Sequence, residues 1–198
     1  MTRLSLSKTQ LAKENTNLAM YRRYLPSLDL KRRQLTAERN KTQARITEIE
    51  AQIERRVEKI GEEISMLANQ DIDLKELVTL KAVKIGERNV VGLRLPGLVE
   101  IEVDIARYGY LLRPHWVDLV AERLKEVLRL RVEAQVTQRQ VALLDAAVTK
   151  VTQRVNLFDR VLIPHTRANI RRIDIALGDR ERSAVVNAKI AKHKTQTT

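Results

Sequence analysis

The sequence predicts a mostly α fold, a long antiparallel two-helix coiled coil with a small β-hairpin or meander inserted between the helices. Three observations lead there. Of 198 residues, 43% are hydrophobic but only 3% aromatic, too few large rings for a rounded core of ordinary size. Six Gly and four Pro leave little punctuation for a many-stranded fold. Apolar residues recur every 3.5 positions over both ends of the chain and every second position in the middle. The organisation that follows is a first arm over 1–70, an insert with its connections over 71–115, and a second arm with a basic tail over 116–198.

The first arm carries a coiled-coil seam. Steps of three and four from Leu18 pass through Leu28, Leu35, Ile46, Ile49, Ile53 and Ile60 and end at Leu67. Arg32, Arg39 and Arg56 fall on the same stripe, thin it, and suggest a partly wet seam or a second partner. Pro26 lacks an N–H and disfavours helix at Leu25, so a kink or break is expected there. From Pro26 to Asn69 the helix would run about 65 Å.

The insert follows, with a period of two. Val99, Ile101, Val103 and Ile105 alternate with Glu100, Glu102 and Asp104, the pattern of a strand with one wet face. Asn89–Leu95 precedes it, and Leu95-Pro96-Gly97-Leu98 has Pro then Gly at the centre of an expected turn. A third short strand is expected at Val83–Ile85. Val90, Val91, Leu93 and Leu95 have too little around them to bury themselves in so small a unit, so an arm or a partner must cover them.

The second arm starts near Trp116. Its cleanest seam is Val141, Leu144, Val148, Val151, Val155, Phe158 and Leu162. Val117, Val120, Leu124 and Val127 follow the same period in another phase. Pro164 is expected to interrupt the arm, with Ile170, Ile173 and Leu177 resuming the stripe. The last eleven residues have little to bury and are expected to fray. A single seam cannot bury its own stripe, so the arms fold back on each other.

Charge gives the folded-back arrangement its consequence. The net charge is +12, and residues 1–33 and 167–198 carry eleven of it. Folding back brings the two ends together as a basic tip made of Lys8, Lys13, Arg22, Arg23, Lys31, Arg32, Arg33, Arg167, Arg171, Arg172, Arg180 and Arg182. Such a tip suits an acidic or carbonyl-lined partner, or phosphate.

Catalytic machinery is not expected. No phosphate-cradling glycine loop is present, since Gly86 and Gly92 are wrongly spaced and Leu93 stands where a lysine is needed. His115, His165 and His193 form no i, i+4 chelating pair, and there is no Cys, so neither a metal nor a disulfide is expected. The carboxylate pairs Glu62/Glu63 and Asp71/Asp73 sit among polar neighbours, unsuited to acid–base work. No cofactor-binding residue stands out. Met1–Lys8 has no apolar run, and no stretch is apolar enough to span a membrane, so a soluble protein without signal peptide is expected.

Three segments resemble the central-stalk D subunits of the V/A-type rotary ATPases. Ser27-Leu28-Asp29-Leu30-Lys31-Arg32-Arg33-Gln34-Leu35 is similar to the family's N-terminal leucine–lysine–basic pattern. Asn89-Val90-Val91-Gly92-Leu93-Arg94-Leu95-Pro96 resembles its middle motif. The most specific is Thr152–Pro164, where Arg154-Val155-Asn156 and Val161-Leu162-Ile163-Pro164 match the signature. The Leu25–Arg32 version resembles a bacterial branch, and the short tail after Lys194 departs from the family pattern. The resemblance implies a non-catalytic central-stalk axle that couples ATP hydrolysis or synthesis to ion translocation by rotation. It implies as partners the catalytic and non-catalytic nucleotide-binding subunits of the ring, the F subunit and the membrane-rotor adaptor. The basic tip would then bear on the ring, and Val90, Val91, Leu93 and Leu95 would dock the other stalk subunits. Also implied are a cytoplasmic location peripheral to the membrane, no bound cofactor, no nucleic acid and no direct membrane insertion. A prefoldin-like chaperone and a basic nucleic-acid-binding coiled coil remain alternatives, though the tip has only Tyr21 and Tyr24 for base stacking.

Overall fold

A computed structural model of the chain describes residues 4–63, 77–105 and 116–196, with side chains as far as 193. Leu67, Asp71, Asp73, His115 and the last two residues of the tail lie outside the described residues. The elements are helix α1 (Lys8–Glu63), strands β1 (Val78–Val90) and β2 (Leu93–Ile105), helix α2 (Trp116–Asn156), a π-helical segment (Leu157–Leu162) and helix α3 (Ile163–Gln196). The fold is therefore mostly helical with one antiparallel hairpin between the arms.

α1 starts where its sequence signals a start. Ser7 Oγ accepts from the Gln10 N–H at 3.2 Å, and Leu11 N–H makes the first helical bond to the Ser7 carbonyl at 3.0 Å. The break expected at Pro26 does not occur, because α1 runs through it as one helix of 56 residues. One missing donor is a local loss that good helix formers and a half-buried stripe on both sides tolerate. At the other end of the chain α3 continues to Gln196, with all its residues from Asp179 to His193 exposed.

By contacts the chain divides into two compact units, Met1–Arg32 with Lys150–Thr198, and Arg33–Thr149. In the central unit the arms are antiparallel, as cross-arm ion pairs record. Arg39 Nε lies 2.9 Å from Asp145 Oδ1, a charge contact without hydrogen-bond alignment. Arg45 meets Glu133 at 2.6 Å, and Arg56 meets Glu126. Two of the arginines that thin the first seam thus reach carboxylates on the other arm. Leu35, Ile46, Ile49 and Leu144 are buried in the same unit.

A core lies where arms and insert meet. Ile60, Leu77, Val117, Val120, Ala121 and Val127 are buried together, with Ile53, Val78, Ile105, Trp116 and Leu124 packed against them. From this base the hairpin lies along the arms, since Gln140 Nε2 donates to the Pro96 carbonyl at 2.5 Å and Arg88 pairs with Glu38. A two-stranded ribbon is marginal alone, and these contacts supply what it lacks.

The hairpin turns at Val91-Gly92, not at Pro96-Gly97 as expected. Both turn residues have positive φ, 53° and 79°, the mirror-image geometry that matches strand twist, and Asn89 Oδ1 accepts from the Gly92 N–H at 2.9 Å. Pro96 is instead inside β2 opposite Glu87, which a ribbon tolerates because each of its strands is an edge. The separate strand expected at Val83–Ile85 is the middle of β1. Register slips between Leu80/Ala82 and Lys84/Ile85 leave Val99 without a partner and 69% exposed, so the expected alternation holds only from Ile101 onwards. A β-branched residue at positive φ is strained. Val91→Asn is expected to stabilise the chain by about 1 kcal/mol, seen as a higher denaturation midpoint in urea.

Candidate functional site

The structure gathers the basic residues of both chain ends into one unit. Lys8 pairs with Glu181 at 3.2 Å, Arg180 donates to the Leu6 carbonyl at 2.8 Å, and the rings of Tyr21 and Phe158 meet edge to face at 5.4 Å. The segments of this unit contain eighteen Lys/Arg against six Asp/Glu, a net charge of +12, whereas residues 33–149 balance at nineteen against nineteen. The entire net charge of the chain thus belongs to one of its two units. The sequence alone places eleven of the twelve in narrower end segments.

Within that unit Lys8, Lys13, Arg22, Arg23, Arg167, Arg171, Arg172, Arg180 and Arg182 are exposed, and Lys31 and Arg32 are half-buried. Arg32 is held 2.5 Å from Asp29 and Arg182 3.2 Å from Asp179, so each carries a local countercharge. Arg33, expected in the tip, falls in the central unit. The exposed side chains of this unit thus give it a positively charged surface.

The apolar seam of the basic unit is interrupted. Val151 and Val155 are buried, but Phe158 and Leu162 are only half-buried, and the buried positions resume at Ile163, Thr166, Asn169 and Ile173. The cause is the π-helical segment, in which the Ile163 N–H reaches back five residues to the Phe158 carbonyl. Its wider turn rotates the following helix. Pro164 therefore does not break the arm; the backbone widens just ahead of it and continues as α3. Leu28, Ile53, Val141 and Val148, the remaining expected seam positions, are half-buried. Two features escape pattern reading here, the π segment and the buried polar side chains Glu14, Thr166 and Asn169. A one-residue slip in the apolar stripe, from Leu162 to Ile163, is the sequence signal of the π segment.

On the hairpin, Val90, Val91 and Leu93 are half-buried and Leu95 is 3% exposed. Leu95 is thereby removed from the residues open to a partner, because this chain already covers it. A groove of about 740 Å³ separates hairpin from arms, lined by Glu38, Arg45, Arg88, Leu98, Glu133 and Gln140 among others. Four of its six charged side chains pair with one another, Arg45 with Glu133 and Arg88 with Glu38. Among the described residues no group of three or more His, Asp or Glu side chains converges to hold a metal, and His165 Nδ1 lies 3.4 Å from Asn169 Nδ2. No described helix is long and apolar enough to cross a membrane.

A family model describing the D subunit of ATP synthase matches residues 10–193. The chain belongs to the ATP synthase D-subunit family. It is 36% identical over 197 residues to the V-type ATP synthase D subunit of Borreliella burgdorferi, an alignment spanning 97% of this chain and 95% of that one. It is 29% identical over 198 residues to the V-type ATP synthase D subunit of Chlamydia trachomatis, spanning 98% and 97%. The resemblance read from three short motifs thus extends over nearly the whole chain. In this member of the ATP synthase D-subunit family the third motif, Thr152–Pro164, contains the π segment. The middle motif contains the positive-φ turn, with Asn89 as its side-chain acceptor.

Proposed function

We propose that the chain is the central-stalk axle of a V/A-type rotary ATPase, a non-catalytic subunit that couples ATP hydrolysis or synthesis in the catalytic ring to ion translocation by its rotation. The observation that carries this reading is the segregation of charge: a paired-helix unit with net +12 joined to a unit with net zero. In this reading the basic unit sits among the catalytic and non-catalytic nucleotide-binding subunits, where exposed cations against acidic loops make contacts that exchange as the shaft turns. The hairpin side meets the other stalk subunits, the F subunit and the membrane-rotor adaptor. The chain binds no cofactor of its own and works in the cytoplasm, peripheral to the membrane.

The same charge would serve a phosphate-binding coiled coil, and one experiment separates the two. Binding of the isolated chain is measured against the purified ring and against random duplex DNA at about 0.15 M salt. The axle reading expects ring binding and only weak DNA binding. Tight DNA binding that falls steeply with log salt, without ring binding, would sink it. The purified chain is also expected to hydrolyse no ATP, checked by activity that does or does not co-elute with it through a final column.

A further inference from the structure

We infer that the basic unit contains a soft joint, at the level where Pro26 on α1 faces the π segment, and that its helices bend and twist there more readily than in the flanking turns. The inference goes beyond the axle reading and stands on local structure alone. Several observations coincide at one level. Pro26 deprives the Arg22 carbonyl of its helical donor, and Pro164, just past the π segment, likewise has no N–H to give. Next to these losses α2 gives way to six residues of π-helix, whose longer-range bonds pack less well than those of an α-helix.

The side chains are loose at the same place. No residue of α1 between Glu14 and Arg32 is buried, and none from Asn156 to Leu162 is, whereas Val151, Val155, Ile163, Thr166 and Ile173 are buried on either side. Tyr24, Leu30, Leu157 and Val161 are exposed there instead of filling the seam. A groove of about 420 Å³ opens in the gap, with Leu25 and Pro26 on one wall and Val155, Asn156, Asp159 and Arg160 on the other. Helices with fewer buried contacts and missing backbone bonds deform at lower cost. The edge-to-face rings of Tyr21 and Phe158 cross the gap and form the pivot. Each defect alone would be a tolerated kink. Placed opposite each other on paired helices, they weaken both at once, and neither helix can splint the other.

The test uses the full chain, which has no Cys and so accepts cysteines at chosen sites. Spin labels at Arg154→Cys and Asp174→Cys span the π segment. Labels at Arg129→Cys and Thr149→Cys span an equal length of regular α2, about 30 Å in both cases. All four positions are exposed. The distance distribution across the joint is expected to be about twice as broad as the control. Adding Pro26→Ala and Pro164→Ala, which restore both N–H donors, is expected to narrow it to the control's width while circular dichroism stays helical. Equal widths in the parent pair overturn the inference, as does a broad distribution that the two replacements leave untouched.

Discussion

Replacing Val151 and Val155 by Asp is expected to abolish the cooperative melting transition and most of the helical circular dichroism of the chain. Both valines are buried, one turn apart, on the stripe just before the π segment. Each loses roughly 1.5 kcal/mol of apolar burial. Each also places a carboxylate at a buried seam position, which costs several kcal/mol more. Two such changes exhaust the 5–15 kcal/mol that typically separates a folded chain from its unfolded state. The control is Val148, half-buried on the same stripe, whose change to Asp should cost much less. Melting curves for the double variant that overlay the parent's would place the seam elsewhere.

The second large effect concerns binding. Arg171→Ala alone should change ring affinity by a factor of about five or less, since an exposed ion pair contributes about 0–1 kcal/mol. Changing Lys13, Arg22, Arg23, Arg167, Arg171 and Arg172 together to Gln should weaken ring binding on the order of a hundredfold. All six are exposed, so the fold should remain intact by circular dichroism. Salt titration adds a signature: the parent complex should weaken with ionic strength, and the sixfold variant, with half the net charge left, should weaken less steeply. An affinity lost wholly with one residue would describe a specific pocket, not a distributed bearing surface.

Much of this molecule is legible in its sequence, for physical reasons that differ by region. The arms announce themselves because Leu35, Ile46, Ile49 and Leu144 repeat at a spacing that only a paired helix buries. The hairpin announces itself through the alternation ending at Ile105. Its turn is easily misplaced because Pro-Gly is a strong local signal. Val91-Gly92 is a weak one, with Val unfavourable at positive φ, and Asn89 is the clue that outweighs it. Leu95 reads as an open docking residue because a pattern gives a strand's faces but not what lies against them. The π segment is easily missed for a related reason: a wider turn changes phase by one residue, and Phe158 and Leu162 continue the old phase in the sequence. The basic unit is legible as composition, and becomes a place once the fold-back brings Leu6 beside Arg180.

The antiparallel pairing of the arms also sets an order of events during synthesis. The hairpin and the cluster of Ile60, Leu77, Val117 and Val127 close short loops and are the natural nucleus, from which pairing zips outward. Lys8 must wait for Glu181 to be translated before it finds its partner. At about 5–20 residues per second that wait is on the order of ten to thirty seconds, during which the stripe is covered only progressively, from Ile60 back towards Leu18. The first arm is therefore the part of the nascent chain most in need of protection, and its capture by a chaperone should end when ribosomes pass Ile173. Stalling ribosomes at successive codons and following proteolysis of the first arm would show protection spreading from Ile60 towards Lys8. Protection that begins at Lys8 would reverse the order.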